Sequence, residues 1–238
     1  MRHIVLVLVA LVIAPLGTAH AADDKAAFSL KLRGFTMGLV TLSSSADAQR
    51  YTVGGVIINT GVSRIFRQFS YTGAANGMVR NGNLRPDRYK EVADTGRRSS
   101  EALITYRNGV PTVEQYTSPK KAGPDAPDPA TQGGTVDPLT AIFALLRDVP
   151  RAQACQLDVY IFDGKRRTRI AMQPAGIKDG LPFCIGRYSR LQGFTAEEVA
   201  RHKKFGFVLN YRDGPNDILQ VNDVSFDSFY GTAVILRK

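Results

Sequence analysis

The chain has no tryptophan, only two cysteines and only three histidines in 238 residues. Each shortage removes a class of function. A Ser-His-Asp or Cys-His nucleophile arrangement needs a histidine, and once an exported leader is removed only His202 remains. Nothing resembling a nucleophile motif surrounds it, and a place near the end of a short helix suits it better than general-base work. Two separated cysteines with one histidine do not make a common zinc site, and there is no Cys-x-x-Cys pair. Neither a Walker motif nor a GxGxxG run is present, so no nucleotide or other cofactor is expected and no metal. Beyond the extreme N-terminus no stretch approaches the roughly 20 apolar residues of a membrane-spanning helix.

The N-terminus is the one long apolar run. Arg2 is followed by unbroken apolar sequence from Ile4 to Ala14, then by Pro15, Gly17 and the small-x-small triplet Ala19-His20-Ala21. Eleven apolar residues are too few to span a bilayer core of about 30 Å, and the pattern is that of a cleaved secretory signal over residues 1–21. The remaining residues, 22–238, are expected to form one β-rich domain in an exported, periplasmic protein. Its compartment is oxidising, so Cys155 and Cys184 read as a disulfide worth roughly 3.5 kcal/mol by loop-closure entropy.

What the chain does have is strand chemistry. From Phe28 onward Val, Ile, Thr, Tyr and Phe alternate with polar residues, and Gly, Asn and Asp interrupt them at short intervals. About thirteen strands are expected by this pattern. A flat open sheet usually curls or splits at around ten, so the fold class is mainly β. The expected shape is an antiparallel curled sheet, an open barrel or β-spiral, with one main helix packed against or into it. That helix is Pro138 to Arg147, with Asp137 as its cap and Pro138 at its first position. A shorter one follows Thr195, where Thr195 and Glu198 stand at capping-box spacing. Between the two strand groups lies a Pro/Gly-rich loop, Ser118 to Gly134.

Four basic residues, Lys165, Arg166, Arg167 and Arg169, follow Gly164 and raise the question of an anion site. A tight turn at Asp163-Gly164 would pair Val159 with Thr168, Asp158 with Arg169 and Tyr160 with Arg167. Ile161, Val159, Leu157, Ile170, Met172 and Cys155 then share a core face. Arg169 and Arg167 find local partners, and Arg166 is left over at the mouth of the apolar face. A second hairpin turns at Asn108-Gly109 and sets Ile104 against Val113, Thr105 against Thr112 and Tyr106 against Pro111.

Five stretches in order carry a resemblance. They are "GFTMG" from Gly34, "NGNLRPDRYKE" with Gly82, Leu84, Pro86 and Tyr89, "DPLTAIFAL" from Asp137, "CQLDVYIFDGKRR" from Cys155 and "CIGRYSRLQGF" from Cys184. The series resembles the exported bacterial family known as domain of unknown function 3108. More distantly it is similar to the β-spiral and half-barrel lipoprotein-carrier proteins of the Gram-negative envelope. The resemblance implies a periplasmic role in envelope integrity and brings no catalytic residues with it.

The net charge of +10 suits acidic partners. In an exported protein these are phospholipid, lipopolysaccharide or cell-wall polymer, or another envelope protein, rather than nucleic acid. The reading from sequence is a non-enzymatic envelope protein that binds an amphipathic ligand or a partner segment in its curved sheet. Arg166, Ile142, Phe143 and Leu146 are the expected ligand-binding residues. The alternative is a hydrolase acting on envelope carbohydrate or lipid.

Overall fold

The computed structural model describes residues 22–60, 69–96, 99–117, 123–201, 204–228 and 231–238. The expected leader, His202 and the first part of the Ser118 to Gly134 loop lie outside the described residues. Seven strands come first: β1 Ala22–Leu32, β2 Phe35–Ala46, β3 Arg50–Asn59, β4 Ser70–Arg80, β5 Asn83–Asp94, β6 Ser99–Arg107 and β7 Val110–Thr117. Helix α1, Pro138–Leu146, and the two-residue strand β8, Val149–Pro150, follow the central loop. Then come β9 Asp158–Phe162, β10 Arg167–Lys178, β11 Leu181–Gln192, helix α2 Ala196–Arg201, β12 Lys204–Asp213, β13 Ile218–Ser228 and β14 Gly231–Arg237.

All the strands join one antiparallel sheet in the order β7-β6-β5-β4-β3-β2-β1-β14-β13-β12-β11-β10-β9, with β8 on β13. Within each half, β1 to β7 and β9 to β14, neighbours in sequence are neighbours in the sheet, and β1 joins the halves by pairing with β14, so the chain ends sit at the middle and β7 and β9 form the edges. The sheet curls until those edges approach, but they do not pair. Residues 132–136 fill the seam instead. The Gly134 N–H donates to the Gly109 carbonyl at 2.9 Å on one side. On the other, Val136 pairs in parallel with β9, donating to Tyr160 at 2.8 Å and accepting from Phe162 at 2.9 Å. The Lys165 ammonium lies 5.1 Å from the Tyr116 ring across the same gap. An edge strand left open invites pairing with another chain, and this plug covers the end of β9 at Tyr160 and Phe162.

The hollow of the curl is filled by α1. Asp137 caps it by accepting from the Thr140 N–H at 2.8 Å, and Pro138 occupies the first turn, where a missing N–H costs nothing. Leu139, Ala141, Phe143 and Leu146 are buried among the inward side chains of both halves of the sheet. Gly55 makes room for it: a Cβ there would come within 2.6 Å of Leu139 Cδ1. Cys155 and Cys184 form the expected disulfide, with Cα atoms 5.4 Å apart. In α2 the capping box closes both ways, Thr195 N to Glu198 at 3.0 Å and Glu198 N to Thr195 at 3.2 Å.

The two hairpins behave differently. That at Asn108-Gly109 has the expected register, with both turn residues at positive φ (52° and 75°) as a type I′ turn requires. The other turns one residue later than expected, on Gly164-Lys165, and pairs Val159 with Ile170 and Tyr160 with Arg169. Asp163 causes this: its carboxylate accepts from the N–H groups of Lys165 (3.0 Å) and Arg166 (2.7 Å), so it caps the turn rather than entering it. The slip moves each partner by two positions, so no side chain changes face. Ile161 and Ile170 are buried as expected. The Asp158–Arg169 ion pair (2.7 Å) and the Arg167–Tyr160 stack (4.6 Å to the ring centre) survive as diagonal rather than direct neighbours.

Candidate functional site

Polar groups inside the hollow fall into two sets. The first is a chain of hydroxyls around the helix cap. Thr140 Oγ1 donates to Asp137 at 2.6 Å, and the Tyr51 hydroxyl meets Thr140 Oγ1 at 2.8 Å. Asp137 is wholly buried, and that burial pushes its carboxyl up to about 6 against the pull of its hydrogen bonds. The second set runs across β4 and β5. Tyr71 and Tyr89 hydroxyls lie 3.2 Å apart, and Tyr89 donates in turn to Glu91. Burial raises the carboxyls of Glu91 and Asp163 and the phenols of Tyr51, Tyr71 and Tyr89. Raised carboxyls in an enclosed space can mark acid–base chemistry. Here Glu91 takes a tyrosine, Asp163 the main chain of its own turn, and Asp137 both the main chain and the hydroxyl of Thr140. The arrangement holds strands to the helix.

Open space lies at the other side of α1. A cavity of about 330 Å³ has a lining more polar than apolar, and Leu84, Val136, Ala144, Leu145, Val159 and Met172 make its apolar part. The turn Asn81–Leu84 between β4 and β5 forms part of its rim, with Gln153, Gln156 and Tyr211 opposite. Its size is at the lower end of small-molecule sites, about 300–1,000 Å³. Its cation is Arg147, the residue that ends α1. Arg147 Nη2 donates to the Gly82 carbonyl at 3.0 Å, while its Nε is buried with no hydrogen-bond partner. Burial lowers its pKa, and no carboxylate among the described residues forms an ion pair with it. The neighbouring acids are committed elsewhere: Asp148 to Arg237, Asp158 to Arg169. A half-buried guanidinium with an unpaired donor carries a desolvation cost that an anion would relieve.

None of the four residues expected from sequence to bind ligand lines this cavity. Phe143 stacks on Tyr51 with ring centres 6.1 Å apart, Leu146 is buried, and Ile142 packs against the core. Arg166 is not the leftover cation expected of it. Glu198 takes its Nη2 at 2.9 Å, the Gly193 carbonyl its Nε at 3.4 Å, and the Phe194 ring lies 4.9 Å below it. The reason is α2, whose capping glutamate arrives from a distant part of the sequence. The helix faces the cavity with Thr140, Ala144, Leu145 and Arg147. Arg147 could have been noticed in the sequence only as a cation at the end of an otherwise apolar helix.

The motifs behind the resemblance now have structural reasons. Asn81 and Gly82 make the turn at positive φ, and Leu84, Pro86 and Tyr89 point into the hollow. Residues 27–178 match the sequence profile of a family described as "Protein of unknown function (DUF3108)". The chain belongs to the DUF3108 family. The match ends at the last residue of β10, short of the Cys184 stretch. No curated protein matches the chain. One solved structure with a similar course is a β-barrel-like protein of domain of unknown function DUF1849 from Brucella abortus. It is 10% identical, with a TM-score of 0.48, over 93% of this chain and 98% of the other.

Proposed function

We propose that this DUF3108 protein is an exported, non-enzymatic binder of an anionic amphipath that supports the cell envelope. The observation that carries the reading is the cavity beside α1, which sets apolar side chains of the helix, β9 and β10 beside polar groups and the Arg147 guanidinium, whose Nε is left without a partner. A short acyl chain matches the apolar part of the lining, and a carboxylate or phosphate matches Arg147. The disulfide supports the oxidising compartment, and no helix among the described residues is long and apolar enough to cross a membrane. The buried carboxylates Glu91, Asp137 and Asp163 lie away from the cavity lining, and the carboxylate that does line it, Asp158, is paired with Arg169, which favours binding over hydrolysis.

The test is a fluorescent fatty-acid probe titrated into purified protein, with native mass spectrometry and lipid extraction of the same material. Saturable binding is expected. Ala144→Phe should fill the cavity and abolish it, whereas Arg147→Gln should weaken the acid probe and spare its uncharged alcohol. Bare protein by mass, with no probe bound, would remove the binder and leave a scaffold acting through its outer surface.

A further inference from the structure

The outer face of the sheet at β3–β5 carries five exposed cations close together. Cross-strand register sets Arg50 and Arg85 on either side of Met78, two strand spacings or about 10 Å apart. Arg80 follows on β4, its Nη2 3.7 Å from the Met78 sulfur. Arg88 and Lys90 lie on the same face of β5, about 7 Å apart along the strand. Between these side chains the surface sinks into a shallow trough floored by Thr52, Gly54, Ala74 and Asn76. Among the described residues Arg85, Arg88 and Lys90 form no ion pair, although one exposed acid, Asp87, stands between Arg85 and Arg88 on β5, and the acid nearest in sequence to Arg50, Asp47, is spent on the Gln49 and Arg50 N–H groups at 2.7 Å. Four arginines elsewhere, Arg151, Arg166, Arg169 and Arg237, hold carboxylates. Leaving several cations unpaired on one broad face costs self-repulsion, which an anionic surface relieves.

The position of this patch is what gives it a use. Arg80 and Arg85 flank the turn Asn81–Leu84, and that turn is part of the rim of the cavity and accepts the hydrogen bond of Arg147. We propose that the β3–β5 outer face docks onto an anionic phospholipid bilayer, bringing the cavity mouth to the level of the headgroups. A bilayer fits better than a folded acidic partner because the cations are spread over three strands around a shallow trough, with long side chains that reach a plane of phosphates. Docking itself stands without the cavity; the transfer of an amphipath that would follow rests on the function proposed above.

Vesicle flotation tests it. Vesicles of mixed phosphatidylglycerol and phosphatidylcholine should carry the protein up the gradient at low salt and release it at high salt. Pure phosphatidylcholine should not. The triple variant Arg85→Gln, Arg88→Gln, Lys90→Gln should partition on the order of a hundredfold less. A control triple of exposed cations away from the patch, Lys178→Gln, Arg187→Gln, Lys238→Gln, makes the same charge change and should lose less than about fivefold, the worth of one cation at the surface. Arg88→Glu alone should show the same direction as the first triple. Equal losses in the two triples, binding insensitive to salt, or no binding to either vesicle would overturn the proposal. So would binding to soluble polyphosphate without binding to vesicles, which would make the partner a free polyanion. The fatty-acid probe, measured without membranes, separates the two ideas. Patch variants should keep it, and its failure with vesicle binding intact would sink the cavity reading alone.

Discussion

The Tyr51 hydroxyl stands 2.8 Å from Thr140 Oγ1 and joins the third strand to the first turn of the buried helix. Because Thr140 gives its own proton to Asp137, Tyr51 is the donor, and the three residues form a one-way chain ending on a carboxylate. Tyr51→Phe removes one neutral bond and should cost about 1 kcal/mol by chemical denaturation. Thr140→Val strips both neighbours of a partner at once and should cost about 3 kcal/mol, since it leaves a buried phenol and a carboxylate oxygen unsatisfied. Equal effects from the two changes would show that the chain is not directional.

Asp137 sets a pH dependence opposite to that of most surface acids. Its carboxyl is raised to about 6 from 3.8, so between those values the folded state holds a proton that the unfolded state has released. Stability is therefore greatest below about pH 4 from this group and falls as pH rises through 6, by at most about 3 kcal/mol at 1.36 kcal/mol per unit. Glu91 and Asp163, also raised by burial, act in the same direction. Denaturation midpoints measured from pH 4 to 7 should decline for the native protein, and Asp137→Asn should flatten most of that slope. A native profile that climbs across this range would contradict the assignment.

The Cys155–Cys184 bond is buried, so in the native protein it should resist reduction by dithiothreitol until denatured, and without reductant no thiol should alkylate even after denaturation. Cys155→Ala with Cys184→Ala should lower stability by roughly 3.5 kcal/mol, the loop-closure value for 29 residues of separation. Peptide mapping without reductant should recover the two cysteine peptides joined. Alkylation of either cysteine in denaturant without reductant would show the bond absent in the purified protein.

Export gives a mass prediction. Protein recovered from the periplasmic fraction should begin at Ala22 or Asp23, after the Ala19-His20-Ala21 triplet. Full-length chain retaining Met1 in the cytoplasm would rule that out.

Local chemistry in the sequence determined the strands, the two helix caps, the Asn108-Gly109 hairpin and the disulfide pair. Alternation, capping oxygens and positive-φ turn residues act within a few positions of one another, so their consequences can be read from neighbours alone. The face of each residue in the Asp163 hairpin was equally legible, because a slip of two positions preserves it. Its register was not, because one carboxylate reaching two N–H groups moved the turn by a residue. Tertiary structure alone decided which cations are free. Arg166 looked unpaired in sequence, yet Glu198 comes to it from 32 residues away. Nothing local marks Arg147, yet the curl brings the Gly82 carbonyl to it from 65 residues away and, among the described residues, no acid. Pairing of a long side chain depends on which distant strand or helix end arrives beside it. The sheet's curvature and the seating of α1 set that, and the hollow beside the helix with it.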